Sequence, residues 1–339
     1  MKCCANCFGD RHLSRQLIPT LSVETANCSY CGGVTQQVVD PSALRDAFEL
    51  LLGAYKQDAA GQPIDHWLRE DWSLFRHPAM NPARSHQLLS DILGNADLVD
   101  QLVLPKESGL PGALAVWEEF RKELMHENRF FPRGGLNLDR LDELLGHLLL
   151  DPADIPGVWY RARLETDGRS YAVAEMGAPP KSKSSHGRAN PAGIPYLYLA
   201  TTALTAVSEL RPHTGETATV ATCAMAAGLK IVDLRDPRHT VSPFLLEDEA
   251  SVVQMRGDIG FLEQLGEELT RPVLPQSAPI DYTPSQYLCE FIKKCGYEGV
   301  MYRSSVGDGV NIALFDPQKV TIGGVGQYRV TRVTVTMIG

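Results

Sequence analysis

Two Cys-X-X-Cys pairs stand near the start of the sequence, Cys4-Ala-Asn-Cys7 and Cys28-Ser-Tyr-Cys31, with twenty residues between them. Each pair turns tightly enough to set two thiolates on one ion, and Gly32-Gly33 after the second tolerates the backbone that such a knuckle needs. Four thiolates with no open coordination position suit a structural zinc ion. Cys4, Cys7, Cys28 and Cys31 are therefore the expected metal ligands, and catalysis at this metal is not expected. A redox pair is the rival reading, and Cys3 is able to exchange roles with Cys4.

A second concentration of chemistry spans residues 176–193, where three prolines and three serines accompany Lys181, Lys183 and Arg188 in an acidic chain. The stretch reads either as a mobile surface lid or as a polar rim that receives an anionic ligand. Arg188 suits a phosphate, and Gly187 and Gly193 permit close backbone approach. Neither GxxxxGK[ST] nor a GxGxxG opening a strand-turn-helix unit occurs, so a Walker loop and a Rossmann site lack their usual signature. Glu209 ends an apolar helical stretch, where a carboxylate is either turned to solvent or held by a buried partner.

The elements that carry these residues follow from composition and period. With 32 Lys and Arg against 41 Asp and Glu the net charge is −9, which disfavours nucleic acid and anionic membrane as partners. The opening MKCCANCFGD has no signal-peptide pattern, and no apolar run approaches the roughly 18 residues that span a bilayer, so a cytoplasmic protein is expected. Residues 1–40 read as a cysteine-rich zinc-binding module and 41–150 as a helical accessory domain. Helices are expected over Ala43–Tyr55, Ser85–Leu93, Ala113–Glu127 and Leu138–Leu150, with Trp67, Trp72, Leu74 and Phe75 as an aromatic patch of the core. Arg121 and His126 share the spacing of some helical RNases, which reads as chance. After the Pro-rich segment 151–157 the period changes, and 155–339 reads as a third domain. Its strands are expected at Val158–Leu164, Tyr196–Ala200, Thr217–Ala224, Leu229–Leu234, Gly299–Tyr302, Asn311–Leu314 and Tyr328–Met337. Helices should cover Thr202–Leu210, with Leu204, Val207 and Ala203 on its apolar face, and Pro284–Cys295. Residues 239–280 read as irregular or partly helical. The fold class is α+β.

Five segments, in order, resemble the RES family: Trp159-Tyr-Arg161, Gly187-Arg-Ala-Asn-Pro-Ala-Gly193, Tyr196-Leu-Tyr198, Ala206-Val-Ser-Glu209 and the run from Gly299 through Ser304 and Asn311 to Phe315. The front half is similar to accessory domains that precede RES or HEPN domains. The resemblance implies an ADP-ribosyltransferase-like fold that binds NAD and releases nicotinamide by phosphorolysis or hydrolysis, often as the toxin of a toxin-antitoxin pair or a defence effector. It carries the family arginine onto Arg161, the tyrosine onto Tyr198, the glutamate onto Glu209 and the serine onto Ser304, with Arg163 and Ser305 as the neighbours open to confusion. Arg303 stands where the family commonly has proline.

On that resemblance Arg161, Tyr198, Glu209 and Ser304 are the expected catalytic residues, and Arg161, Arg188, Tyr198, Ser304, Ser305 and Asn311 the expected NAD-binding set. Arg161 and Arg188 would meet the pyrophosphate, Tyr198 and Ser304 the nicotinamide end, and Glu209 the positive charge that develops on the ribose carbon. His186 and His213 lie close but are not required. Expected partners are NAD, inorganic phosphate and an antitoxin or regulatory protein. Two rival functions stand beside NAD cleavage: transfer of ADP-ribose to an acceptor, and a catalytically inactive zinc-containing protein that binds a partner.

Overall fold

A computed structural model describes residues 1–107 and 113–334. The chain divides into two compact units, one of residues 1–115 with 237–262 and one of residues 116–236 with 263–339. The architecture is mixed α+β.

In the first unit, β1 (Cys3–Cys4), β2 (Glu24–Ala26) and β3 (Gln36–Val39) form a three-stranded antiparallel sheet with β3 in the middle. Such short strands bury little by themselves, and the buried Cys4, Cys7, Cys28 and Cys31 gather beside them. Phe8 packs on Phe48 and Phe75, and Phe48 on Phe244, with ring centroids 5.1 to 5.9 Å apart. Ser242 donates to the buried Asp10 carboxylate at 3.0 Å. β4 (Tyr55–Pro63) and β5 (Leu102–Pro105) pair beside helices Ile64–Trp72 and Pro82–Leu93. Asn81 caps the second of these through the N–H of Arg84, and Gly94 ends it in the left-handed region. Trp72, Leu74 and Phe75 are buried as the sequence suggested.

The second unit is built on a seven-stranded sheet of β6 (Trp159–Leu164), β7 (Leu197–Ala200), β8 (Thr217–Met225), β9 (Ile231–Asp233), β10 (Gly299–Arg303), β11 (Val310–Leu314) and β12 (Val320–Arg329), in the order β12-β8-β6-β7-β11-β10-β9. All neighbours are antiparallel except β9 and β10. Trp159, Leu197, Leu199, Ile231, Met301, Ile312 and Leu314 alternate inward from their strands into one core. β6 pairs with β8 over six residues but meets β7 only at Tyr160 and Ala200. Beyond that point the two central strands part.

Three expectations need correction. The closing strand is Val320–Arg329 rather than Tyr328–Met337: Val333 is unpaired and half exposed, while Val335 and Met337 lie outside the described residues. The glycines at 323, 324 and 326 hide this strand from an apolar-alternation reading, and a Cβ at Gly323 would stand 2.7 Å from Thr222 Oγ1 on β8. Residues 239–280, read as irregular or partly helical, hold a 22-residue helix, Glu249–Thr270. The helix from Leu138 stops at Gly146, and Leu149 bridges to Val232 at the sheet edge. Helix Ala203–Ser208 turns Leu204 out to solvent at 76% exposure and buries Thr205 and Ala206 instead. Among the described residues no helix is long and apolar enough to cross a membrane.

Candidate functional site

Where β6 and β7 separate, a cleft of about 500 Å3 opens. It is lined by Tyr160 to Arg163 of β6, Tyr198 to Ala200 of β7, the loop residues Lys183, Ser185, Gly187 and Arg188, and Glu209, Arg211, Tyr282, Tyr302, Ser305 and Asn311. Arg161 spans the gap: its Nη1 donates to the Tyr198 carbonyl at 3.0 Å, in place of the ladder bond the parted strands no longer make. Burial and the like charge of Arg163 pull the Arg161 guanidinium down to about 10, still a cation at neutral pH. Arg163 is tethered to the Gly177 carbonyl at 2.7 Å.

The loop over residues 184–193 is a fixed rim. Asn190 is buried, and its amide donates to Ser184, Ser185 and Pro191, while its Oδ1 accepts the Tyr198 hydroxyl at 2.7 Å. Gln286 and Ser285, on helix Thr283–Lys294, take the carbonyls of Gly187, Asn190 and Arg188. Only glycine fits at 187, since a Cβ there would lie 2.3 Å from Asn190 Oδ1 and 2.5 Å from the Tyr198 hydroxyl. Arg188 then reaches across the cleft, with Nη1 on the Arg271 carbonyl at 2.7 Å, Nη2 3.4 Å from Ser305 Oγ, and its guanidinium over the Tyr282 ring.

Glu209 emerges from the C-terminal end of helix Ala203–Ser208, whose other end Thr202 caps by accepting the Thr205 N–H. Its Oε1 accepts two bonds of 2.6 Å, from Ser304 Oγ and from Asn311 Nδ2. Burial first, then the charges of Tyr198 and Glu209, raise the Tyr302 phenol well above its usual range. Burial likewise raises the Tyr198 phenol. Both residues are part of the lining, and the Tyr198 hydroxyl is engaged by Asn190 Oδ1 and the Ala189 N–H.

Arg161, Arg188, Tyr198, Glu209, Ser305 and Asn311 thus line one cleft, and Ser304 joins them through Glu209. His186 and His213 are exposed and outside the lining. Arg121 is ion-paired with the buried Glu268 at 2.7 Å, a structural role that its spacing from His126 did not suggest. Arg211, Tyr160, Tyr282 and Tyr302 were not singled out from sequence. Arg211 is held at φ +50° by the turn that follows Glu209, and its Nη2 donates to the Val273 carbonyl at 3.3 Å, a contact 62 residues away that no local pattern reveals.

The lining carries five cations, Arg161, Arg163, Lys183, Arg188 and Arg211, against one carboxylate. None of the five is ion-paired with an acidic side chain among the described residues. A polyanion is what such a cleft accepts.

In the first unit the sulfurs of Cys4, Cys7, Cys28 and Cys31 are buried and lie within 4.8 Å of one another. Cys4 to Cys31 is 3.5 Å and Cys7 to Cys28 is 3.3 Å, too long for a disulfide bond of about 2.05 Å. Tetrahedral zinc with Zn–S bonds of about 2.3 Å sets sulfurs roughly 3.8 Å apart, so the cluster fits a structural zinc ion. Cys3 turns away, its Sγ 3.8 Å from the Val39 carbonyl, which identifies Cys4 as the member of the set.

Comparison with known families matches the RES domain to residues 158–331, just over half of the chain. The chain belongs to the RES-domain family. Comparison with curated proteins finds no match. Among solved structures, a chain of the M. tuberculosis MbcT-MbcA toxin-antitoxin complex is 14% identical with a TM-score of 0.33, over 56% of this chain and 92% of that one. A likeness this distant carries nothing about ligand or partner. RES-family membership is consistent with NAD-related activity in general, and the cleft lies within the matched residues.

Proposed function

We propose that the RES cleft binds NAD and cleaves its nicotinamide–ribose bond. The observation that carries this reading is the set of five cations without acidic partners around a single carboxylate. Arg161 and Arg188 would hold the pyrophosphate, where guanidinium donors match phosphate oxygens. Tyr282, partly exposed in the lining, offers aromatic surface for a planar base.

The nicotinamide nitrogen of NAD is already cationic, so no acid is needed to expel it. The bond from the ribose carbon to that nitrogen breaks and its electron pair leaves with neutral nicotinamide. Positive charge develops on the ribose carbon, and Glu209, preorganised in the cleft, stabilises it. An oxygen of water or phosphate then bonds to the carbon; water gives up a proton in doing so. The role of the protein is chiefly to position the reactants and supply fixed charge.

A structural zinc ion held by Cys4, Cys7, Cys28 and Cys31 belongs to the same reading, as does a cytoplasmic location where NAD is abundant. Depletion of NAD harms the producing cell, so restraint by an inhibitory protein partner is part of the proposal.

The test is incubation of the full chain with NAD, with and without phosphate, and identification of products by mass. Free nicotinamide with ADP-ribose or its 1″-phosphate supports the reading, and Arg161→Ala and Glu209→Ala should each reduce it at least tenfold. Stoichiometric ADP-ribose on protein would replace it with transferase activity. Absence of any nicotinamide would overturn it.

A further inference from the structure

We infer that Ser304 and Asn311 act on the substrate only through Glu209, as a two-donor clamp on one carboxylate oxygen. This rests on the proposed NAD cleavage and assigns to both residues a different role from the direct ligand contact expected of them.

The hydrogen bonds of Ser304 are already committed. Its hydroxyl donates to Glu209 Oε1 at 2.6 Å and accepts the Val306 N–H at 3.2 Å. It is 8% exposed and does not line the cleft. Asn311 borders the cleft but is only 5% exposed, and its amide nitrogen is turned to the same Oε1, to which it donates at 2.6 Å. Both bonds fall on one oxygen, which fixes the carboxylate plane. Glu209 Oε2 makes no hydrogen bond among the described residues, and it is the atom left to face a ligand.

The choice of donors has a physical consequence. A guanidinium on Glu209 would cancel the negative charge that the ribose cation needs. Two neutral donors orient the carboxylate and leave its charge intact. Four arginines line the same cleft, and none is ion-paired with Glu209.

The clamp is built before any ligand arrives. Ser304 and Gly309 close a turn through the Ser304 N–H and Gly309 carbonyl at 2.9 Å, and Asn311 follows on β11 in register with Ala200 of β7. Glu209 comes from a separate helix. The clamp therefore joins three elements that meet at the cleft, with Tyr302 as a titratable neighbour of Glu209.

Two measurements on the full chain separate a clamp from a ligand contact. In the active protein, Asn311→Ala, the neutral and nearly isosteric Asn311→Leu, and Ser304→Ala are each expected to lower kcat by about 10- to 100-fold, the loss of one hydrogen bond to a charged group, with KM for NAD within about twofold. In the Glu209→Ala background, where NAD stays intact, equilibrium binding of NAD should be unchanged within about twofold when Asn311→Ala or Ser304→Ala is added. A fivefold or greater loss of NAD affinity in that background overturns the inference, as does an unaltered kcat in all three single variants. If the wild type releases no nicotinamide and Glu209→Ala binds no NAD, the proposed function itself has failed.

Discussion

Gly309 abuts Thr205 so closely that a Cβ on the glycine would lie 1.9 Å from Thr205 Oγ1 and 2.7 Å from its Cβ. Thr205 sits on the short helix that presents Glu209, and Gly309 closes the turn that begins at Ser304. The absent side chain at 309 is what lets the two halves of the site meet. Gly309→Ala is expected to force the turn away from the helix at a cost of about 1 to 3 kcal/mol. Thermal unfolding should show the loss, and nicotinamide release should fall at least tenfold. Retention of full activity would show that the turn can shift without disturbing Glu209.

Gly187→Ala attacks the opposite rim. The added methyl would strike Asn190 Oδ1 and the Tyr198 hydroxyl, so the loop that presents Arg188 must lift. The expected outcome is a roughly tenfold or greater weakening of NAD binding, about 1.4 kcal/mol, measured by calorimetry on the Glu209→Ala background. Stability should change less, because the rim is anchored separately by Ser285 and Gln286.

Arg161 carries a charge with no acidic partner among the described residues, in a half-buried place, and burial depresses its guanidinium to about 10. The fold therefore opposes the charged form at every pH below that value. Since Arg161 stays cationic through the neutral range, the penalty is constant there and eases only as pH rises past about 10. Arg161→Met removes the penalty while keeping the volume. Relief of that penalty is opposed by the Tyr198 carbonyl left without its donor, so the melting temperature should differ from that of the wild type by a small amount that does not vary between pH 6 and 9. The rise in melting temperature that NAD or ADP-ribose gives the wild type should vanish.

Zinc removal is expected to unfold the first unit. Purified protein should contain one zinc per chain by elemental analysis, and a strong chelator should abolish its cooperative melting. Cys4→Ser should lose the metal. Cys3→Ser should keep it, because Cys3 lies outside the cluster and faces the Val39 carbonyl. Loss of zinc from Cys3→Ser would mean that the two cysteines exchange.

The strands that carry Arg161 and Tyr198 were legible as short apolar runs, and the helix before Glu209 from the threonine that caps it, although its buried face was not, since Leu204 turns to solvent. The cysteine set was legible because its spacing is its geometry. Helix Glu249–Thr270 was not, and Gly266 shows why: a Cβ there would lie 2.4 Å from the Leu234 carbonyl, so the residue is chosen for close approach and weakens the local helical pattern. Arg211 and Tyr282 escaped notice because their place at the site depends on tertiary contacts, with the Val273 carbonyl in one case and the Arg188 guanidinium in the other. The two-donor arrangement on Glu209 joins positions 95 and 102 residues apart. Resemblance named Glu209 and Ser304, but it takes the fold to show that each occupies the other.

The RES match runs through residues 237–262, yet those residues belong to the compact unit that contains the thiol cluster. Phe244 packs on Phe48, and Ser242 bonds Asp10. A gene cut at the start of the RES match would strip both residues of these neighbours. Recombination at that boundary would yield a damaged polypeptide rather than a portable enzyme, so the cysteine-bearing front of this chain and its RES region should be inherited together.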